Sequence, residues 1–100
     1  MSKITKSTLK AFINKNKENL FSKEKSSFDG MSDCVMQNKQ ASFNKVESTD
    51  ISCKNTLGIN DVWLVDGSAN YFAHYEDENF IGIEGTNCCG NWIVAIKKAA

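Results

Sequence analysis

The sequence predicts an α+β fold: an N-terminal helix packed on an antiparallel sheet of about five strands, with a short second helix. Three observations carry this. One amphipathic stretch opens the chain, over residues 5–18. Most of the remainder breaks into short β-prone runs bounded by Asp-Gly and Asn/Gly-rich turn signals. No strand–helix–strand alternation recurs, so a doubly wound parallel sheet is not expected. One hundred residues without a repeat or a linker-like tract read as a single domain, 1–100.

Each element follows from a local pattern. In the helix, Leu9, Phe12 and Ile13 stand at i, i+3 and i+4, with lysines and asparagines opposite. Thr5 or Ser7 supplies the N-cap, Lys15 and Lys17 suit the C-terminal dipole, and the asparagines stop the helix near Asn19. Residues 20–38 read as a hairpin centred on Asp29-Gly30. Residues 41–47 are a candidate third strand, and residues 48–60 a long polar loop. Val62-Trp63-Leu64-Val65 is a strand closed by Asp66-Gly67. Over residues 68–76, Tyr71, Phe72 and Tyr75 at i, i+1 and i+4 predict the short helix, capped by Ser68. Residues 80–96 form a second hairpin around Asn87-Cys88-Cys89-Gly90, and its run Trp92-Ile93-Val94-Ala95-Ile96 is apolar enough for a central strand.

Net charge is zero, but the charges segregate. Residues 1–25 hold seven lysines and two glutamates, a net +5; residues 26–96 hold three lysines and ten acids, a net −7. Every basic residue is lysine. Specific reading of bases or phosphates normally uses arginine's planar fork, so direct nucleic-acid recognition is not the favoured expectation. No apolar run reaches 18 residues and the first ten are polar, so the expectation is no membrane span, no secretory signal and a cytoplasmic location. Cys34, Cys53, Cys88 and Cys89 are then expected as free thiols.

Candidate chemistry is thin. Cys88 and Cys89 are adjacent and His74 is distant, a poor match to zinc-ligand spacing, so no metal and no cofactor are expected. A Cys–His nucleophile pair has no local motif, and the chain is read as not an enzyme. Gly82, Gly85 and Gly90 lack the spacing of a phosphate loop and read as turn or bulge glycines. The sharper signal lies in residues 61–84. Asp61, Asp66, Glu76, Asp77, Glu78 and Glu84 accompany Tyr71 and Tyr75, a mix of acids and aromatics that binding surfaces use. These eight are the candidate residues for contact with a protein partner. The lysine-bearing helix is the competing site, for nucleic acid; a thiol-dependent enzyme or regulator is the third reading.

Three strings extend this reading: Ser26-Ser27-Phe28-Asp29-Gly30-Met31, the stretch from Trp63 through Asn70-Tyr71-Phe72 to Tyr75-Glu76-Asp77, and Asn87-Cys88-Cys89-Gly90. Together they resemble a family of small proteins carried by phages, prophages and plasmids of proteobacteria, over nearly the whole chain. The resemblance implies an antagonist of host defence, anti-CRISPR proteins among the models. Its partner would be a host protein or ribonucleoprotein complex such as a CRISPR effector, bound in the bacterial cytosol by a monomer or homodimer. Inhibitors that mimic DNA are strongly acidic overall, whereas this chain is neutral, which favours docking with mixed charge over mimicry.

Overall fold

A computed structural model describes residues 4–25, 43–52, 56–66, 71–87 and 90–99. Helix α1 spans Lys6–Asn16. Eight strands follow: β1 Leu20–Lys25, β2 Asn44–Lys45, β3 Thr49–Asp50, β4 Thr56–Ile59, β5 Val62–Asp66, β6 Tyr71–Glu76, β7 Phe80–Asn87 and β8 Gly90–Lys97. They form a five-stranded sheet in the order β2-β1-β8-β7-β6 and a three-stranded sheet in the order β3-β4-β5. Every strand pairing among the described residues is antiparallel, so the α+β class holds.

The helix follows its sequence pattern closely. Thr5 is extended at φ −100°, ψ 167°, and its hydroxyl accepts from the Thr8 backbone N–H at 3.2 Å. It therefore satisfies one of the N–H groups that a helix start leaves unpaired. Leu9 and Ile13 are fully buried, and Phe12 packs half-buried beside them. Burying each of the two aliphatics contributes about 2 kcal/mol. At the other end Asn16 Nδ2 donates to the Phe12 carbonyl at 2.9 Å, and the chain turns into β1.

β8 lies at the centre of the large sheet, between β1 and β7. Residues 91–95 are all buried, as a strand covered on both faces must be. Alternation divides its side chains. Trp92 and Val94 join Leu20, Ile83, α1 and the small sheet's Leu57, Ile59, Leu64 and Val65 in the main core. Ile93 and Ala95 join Tyr75 on the opposite face, where Phe43 and Phe80 stack with centroids 4.2 Å apart. Phe21 meets Phe80 edge-on at 5.7 Å, and Lys97 Nζ sits 5.0 Å from the Phe21 centroid.

Three expectations are corrected. Residues 71–76 form strand β6, paired along its length with β7, and not a second helix. An i, i+4 spacing also puts Tyr71 and Tyr75 on one face of a strand, so the pattern fits both periods and the available ladder decides. Residues 48–60 are not one loop, because β3 and β4 lie within them. Gly82 and Gly85 are not turn glycines but sit inside β7. A Cβ at Gly82 would run into the β8 backbone, and one at Gly85 into the Trp92 indole. Glycine there marks close approach. The hairpin expected around Asp29-Gly30, the four cysteines and Gly67 lie outside the described residues.

Candidate functional site

The acidic run is built into a turn. Asp77 follows β6, and its Oδ1 accepts from the backbone N–H of Asn79 at 2.7 Å and of Phe80 at 2.8 Å. Its Oδ2 accepts from the Tyr75 hydroxyl at 2.5 Å. Burial works to raise the Asp77 pKa, but the Tyr75 hydroxyl, the two N–H donors and the Lys98 charge outweigh it and hold the carboxyl below its usual 3.8. Glu76 pairs with Lys98 at 2.6 Å. Tyr75 is only 2% exposed, with its ring 5.9 Å from that of Phe43. It is a core residue with its polar tip engaged, not a surface anchor. Glu78 is exposed and has no such tie among the described residues.

The other candidates lie elsewhere. Asp61 is exposed at the tip between β4 and β5. Asp66 ends β5, about 16 Å of extended chain away. Tyr71 opens β6 opposite Thr86; the side chains of Asp66 and Tyr71 are outside the described set. Glu84 is 4% exposed on β7, and burial pushes its carboxyl up to about 7. The structure therefore brings Tyr75, Glu76 and Asp77 together as a turn, and does not gather the acids with described side chains on one face.

A different surface does take shape, at the β4–β5 hairpin. Asn60 and Asp61 both have positive φ, 45° and 65°. Two successive left-handed residues make the tight turn whose twist suits a two-residue hairpin. Asn60 tolerates this conformation, and its amide ties down the chain beside it. Its Oδ1 accepts from the backbone N–H of Glu47 at 2.7 Å and of Ser48 at 3.2 Å, and its own N–H donates to the Ser48 carbonyl at 2.9 Å. The segment leading into β3 is thus held against the hairpin. Between them lies a groove of about 300 Å³, bordered by Ser48, Asp50, Gly58, Asp61 and Trp63.

Trp63 is the largest exposed hydrophobic side chain among the described residues, at 47%. It faces Gly58 across the ladder, and a Cβ on Gly58 would come within 3.0 Å of the indole. The glycine lets the ring lie against the strand. A register shift next to Gly58 leaves Leu64 as an extra residue in β5. This bulge lets Leu64 and Val65 both turn inward while Trp63 stays out. Asp50 and Asp61 give the groove an acidic border, and Asp50 Oδ1 accepts from the Ser52 hydroxyl at 3.0 Å.

The sequence reading named Asp61 but missed Trp63, Asn60 and Asp50. A usable signal was present: Asn60-Asp61, two residues tolerant of positive φ, stands between Leu57-Gly58-Ile59 and Val62-Trp63-Leu64. Among the described residues no three His, Cys, Asp or Glu side chains gather as a metal site, and no helix is long and apolar enough to cross a membrane. His74 is exposed on β6. No protein-family model, curated protein or solved structure matches the chain.

Proposed function

We propose that this protein is a non-catalytic binding module, a mobile-element-borne inhibitor that docks on a protein or ribonucleoprotein complex of a host defence system in the bacterial cytosol. The docking surface centres on Trp63 and the adjoining groove. The observation that carries the surface is Trp63 itself: a large aromatic held half-exposed on a tight hairpin, beside a groove with an acidic border. Interfaces draw most of their affinity from a few such anchors, with tryptophan enriched among them. The inhibitor role rests on the family resemblance; Asp50 and Asp61 suit a partner with a basic contact surface.

The test is retention of candidate CRISPR effectors and other defence complexes on the immobilised full-length chain, with phage survival as the cellular readout. The wild type is expected to retain one of them, and Trp63→Ala to weaken binding by about 30-fold or more, as loss of a hot-spot residue does. Glu78→Lys, away from the hairpin, should bind like the wild type. Failure to retain any complex and to rescue phage would remove the inhibitor reading. Tight binding to DNA that falls steeply with salt and survives Trp63→Ala would move the function to the lysine face of α1.

A further inference from the structure

The second face of the large sheet carries a pair of buried polar side chains that the proposed docking role does not use. Glu84 on β7 is 4% exposed and Asn91 on β8 is 2% exposed. Glu84 Oε2 and both polar atoms of the Asn91 amide, Oδ1 and Nδ2, have no hydrogen-bond partner among the described residues. Glu84 stands opposite Ile93, and Asn91 stands opposite Thr86, one step along the same face. They are therefore diagonal cross-strand neighbours, a separation that long side chains span.

The unmatched atoms are complementary under one condition. A carboxylate only accepts, so it can take a bond from Asn91 Nδ2 but leaves Oδ1 facing a second acceptor. A carboxylic acid donates its O–H to Oδ1 while accepting from Nδ2, and both groups are then satisfied. We propose that Glu84 and Asn91 form a protonation-controlled latch: the neutral acid closes a two-bond pair across β7 and β8, and ionisation opens it and loosens that end of the ladder.

The surroundings favour the neutral form. In the same cross-strand row stand Ala73, Ile93 and Lys23. Lys23 is two strands away, about 10 Å between backbones, and partly in solvent, where its charge is screened. By register Lys97 on β8 shares the face in another row, and the Tyr75 hydroxyl is already given to Asp77. Phe43, which packs on this face, is apolar. Burial pushes the Glu84 carboxyl from 4.5 to about 7, which puts the opening near neutral pH.

The experiment follows the Glu84 side-chain carboxyl by carbon NMR in the full chain while pH is raised from 4 to 9. A midpoint near 7 is expected, and a midpoint near 4.5 overturns the latch. Asn91→Leu separates pairing from burial. If the pair holds the proton, this variant lowers the midpoint; burial alone leaves it in place or raises it, and that result also overturns the proposal. Asn91→Ala, read the same way, covers the case in which Asn91→Leu does not fold, and Glu84→Gln removes the ionising group while keeping a neutral donor and acceptor. The wild-type unfolding constant should rise by about 200-fold between pH 4 and 8, most of the effect of that displacement. In Glu84→Gln the rise should disappear, and its persistence counts against the latch.

Discussion

At the scale of single residues, Asp77 shows how an apparent surface signal becomes a structural part. Three donors meet on one carboxylate: the Tyr75 hydroxyl and the N–H groups of Asn79 and Phe80. Removing the acceptor takes away all three of these bonds at once. Asp77→Ala should therefore destabilise the protein by about 2–3 kcal/mol, while Tyr75→Phe, which takes away one bond and keeps the ring, should cost about 1 kcal/mol. Urea unfolding of the two variants checks the order. In the sequence, Glu76-Asp77-Glu78 is three like charges in a row, and nothing local says which of them turns inward. The Asp77–Asn79–Phe80 bonds depend on β6 and β7 meeting as a hairpin.

At the scale of elements, one glycine and one asparagine set how neighbouring strands and turns fit together. Gly85 gives its side-chain space to the Trp92 indole, which also meets the Phe72 ring at 5.8 Å. Gly85→Ala should cost about 1–3 kcal/mol through overpacking and displace the indole, seen as a changed tryptophan near-UV signal. Asn60→Ala removes an amide that bonds the backbone at Glu47 and Ser48 and places a side chain less tolerant of positive φ in the turn. Thermal unfolding should show a loss of about 1–2 kcal/mol. The groove would then lose one wall, so partner binding should fall with stability.

Helix α1 was legible in advance because its cap, apolar stripe and terminal lysines all lie within one short window. β8 was legible for a similar reason, being apolar without a break. β6 was misread because Tyr71 and Tyr75 share a face at either period, and only pairing with β7 selects the strand. β3 has two residues and β4 four, too few for a periodic signal.

For the whole molecule, two carboxyls with opposite shifts shape stability against pH. The Asp77 pKa is depressed, so its contribution is present above 3.8, its ordinary value, and is lost as pH falls through the lower folded value. The Glu84 pKa is raised, so its contribution is complete below 4.5 and is lost as pH rises through about 7. That second loss amounts to about 3 kcal/mol at 1.36 kcal/mol per pKa unit. Denaturant midpoints should thus be highest near pH 4 and lower at both pH 2 and pH 8. A midpoint that rises steadily to pH 8 would contradict this profile.

What the sequence determined by itself is the α+β class, the amphipathic helix, the apolar strand at the sheet centre and the segregation of lysines from acids. Those properties are local, or simple sums over the chain. Only the tertiary structure decided which charged and aromatic residues reach the surface. It took Tyr75 into the core, spent Asp77 on a turn and buried Glu84, while the β-bulge beside Gly58 left Trp63 outside. The physical reason is that a strand residue's exposure is set by what lies opposite it and over it. Those neighbours come from distant parts of the chain, and no window of sequence contains them.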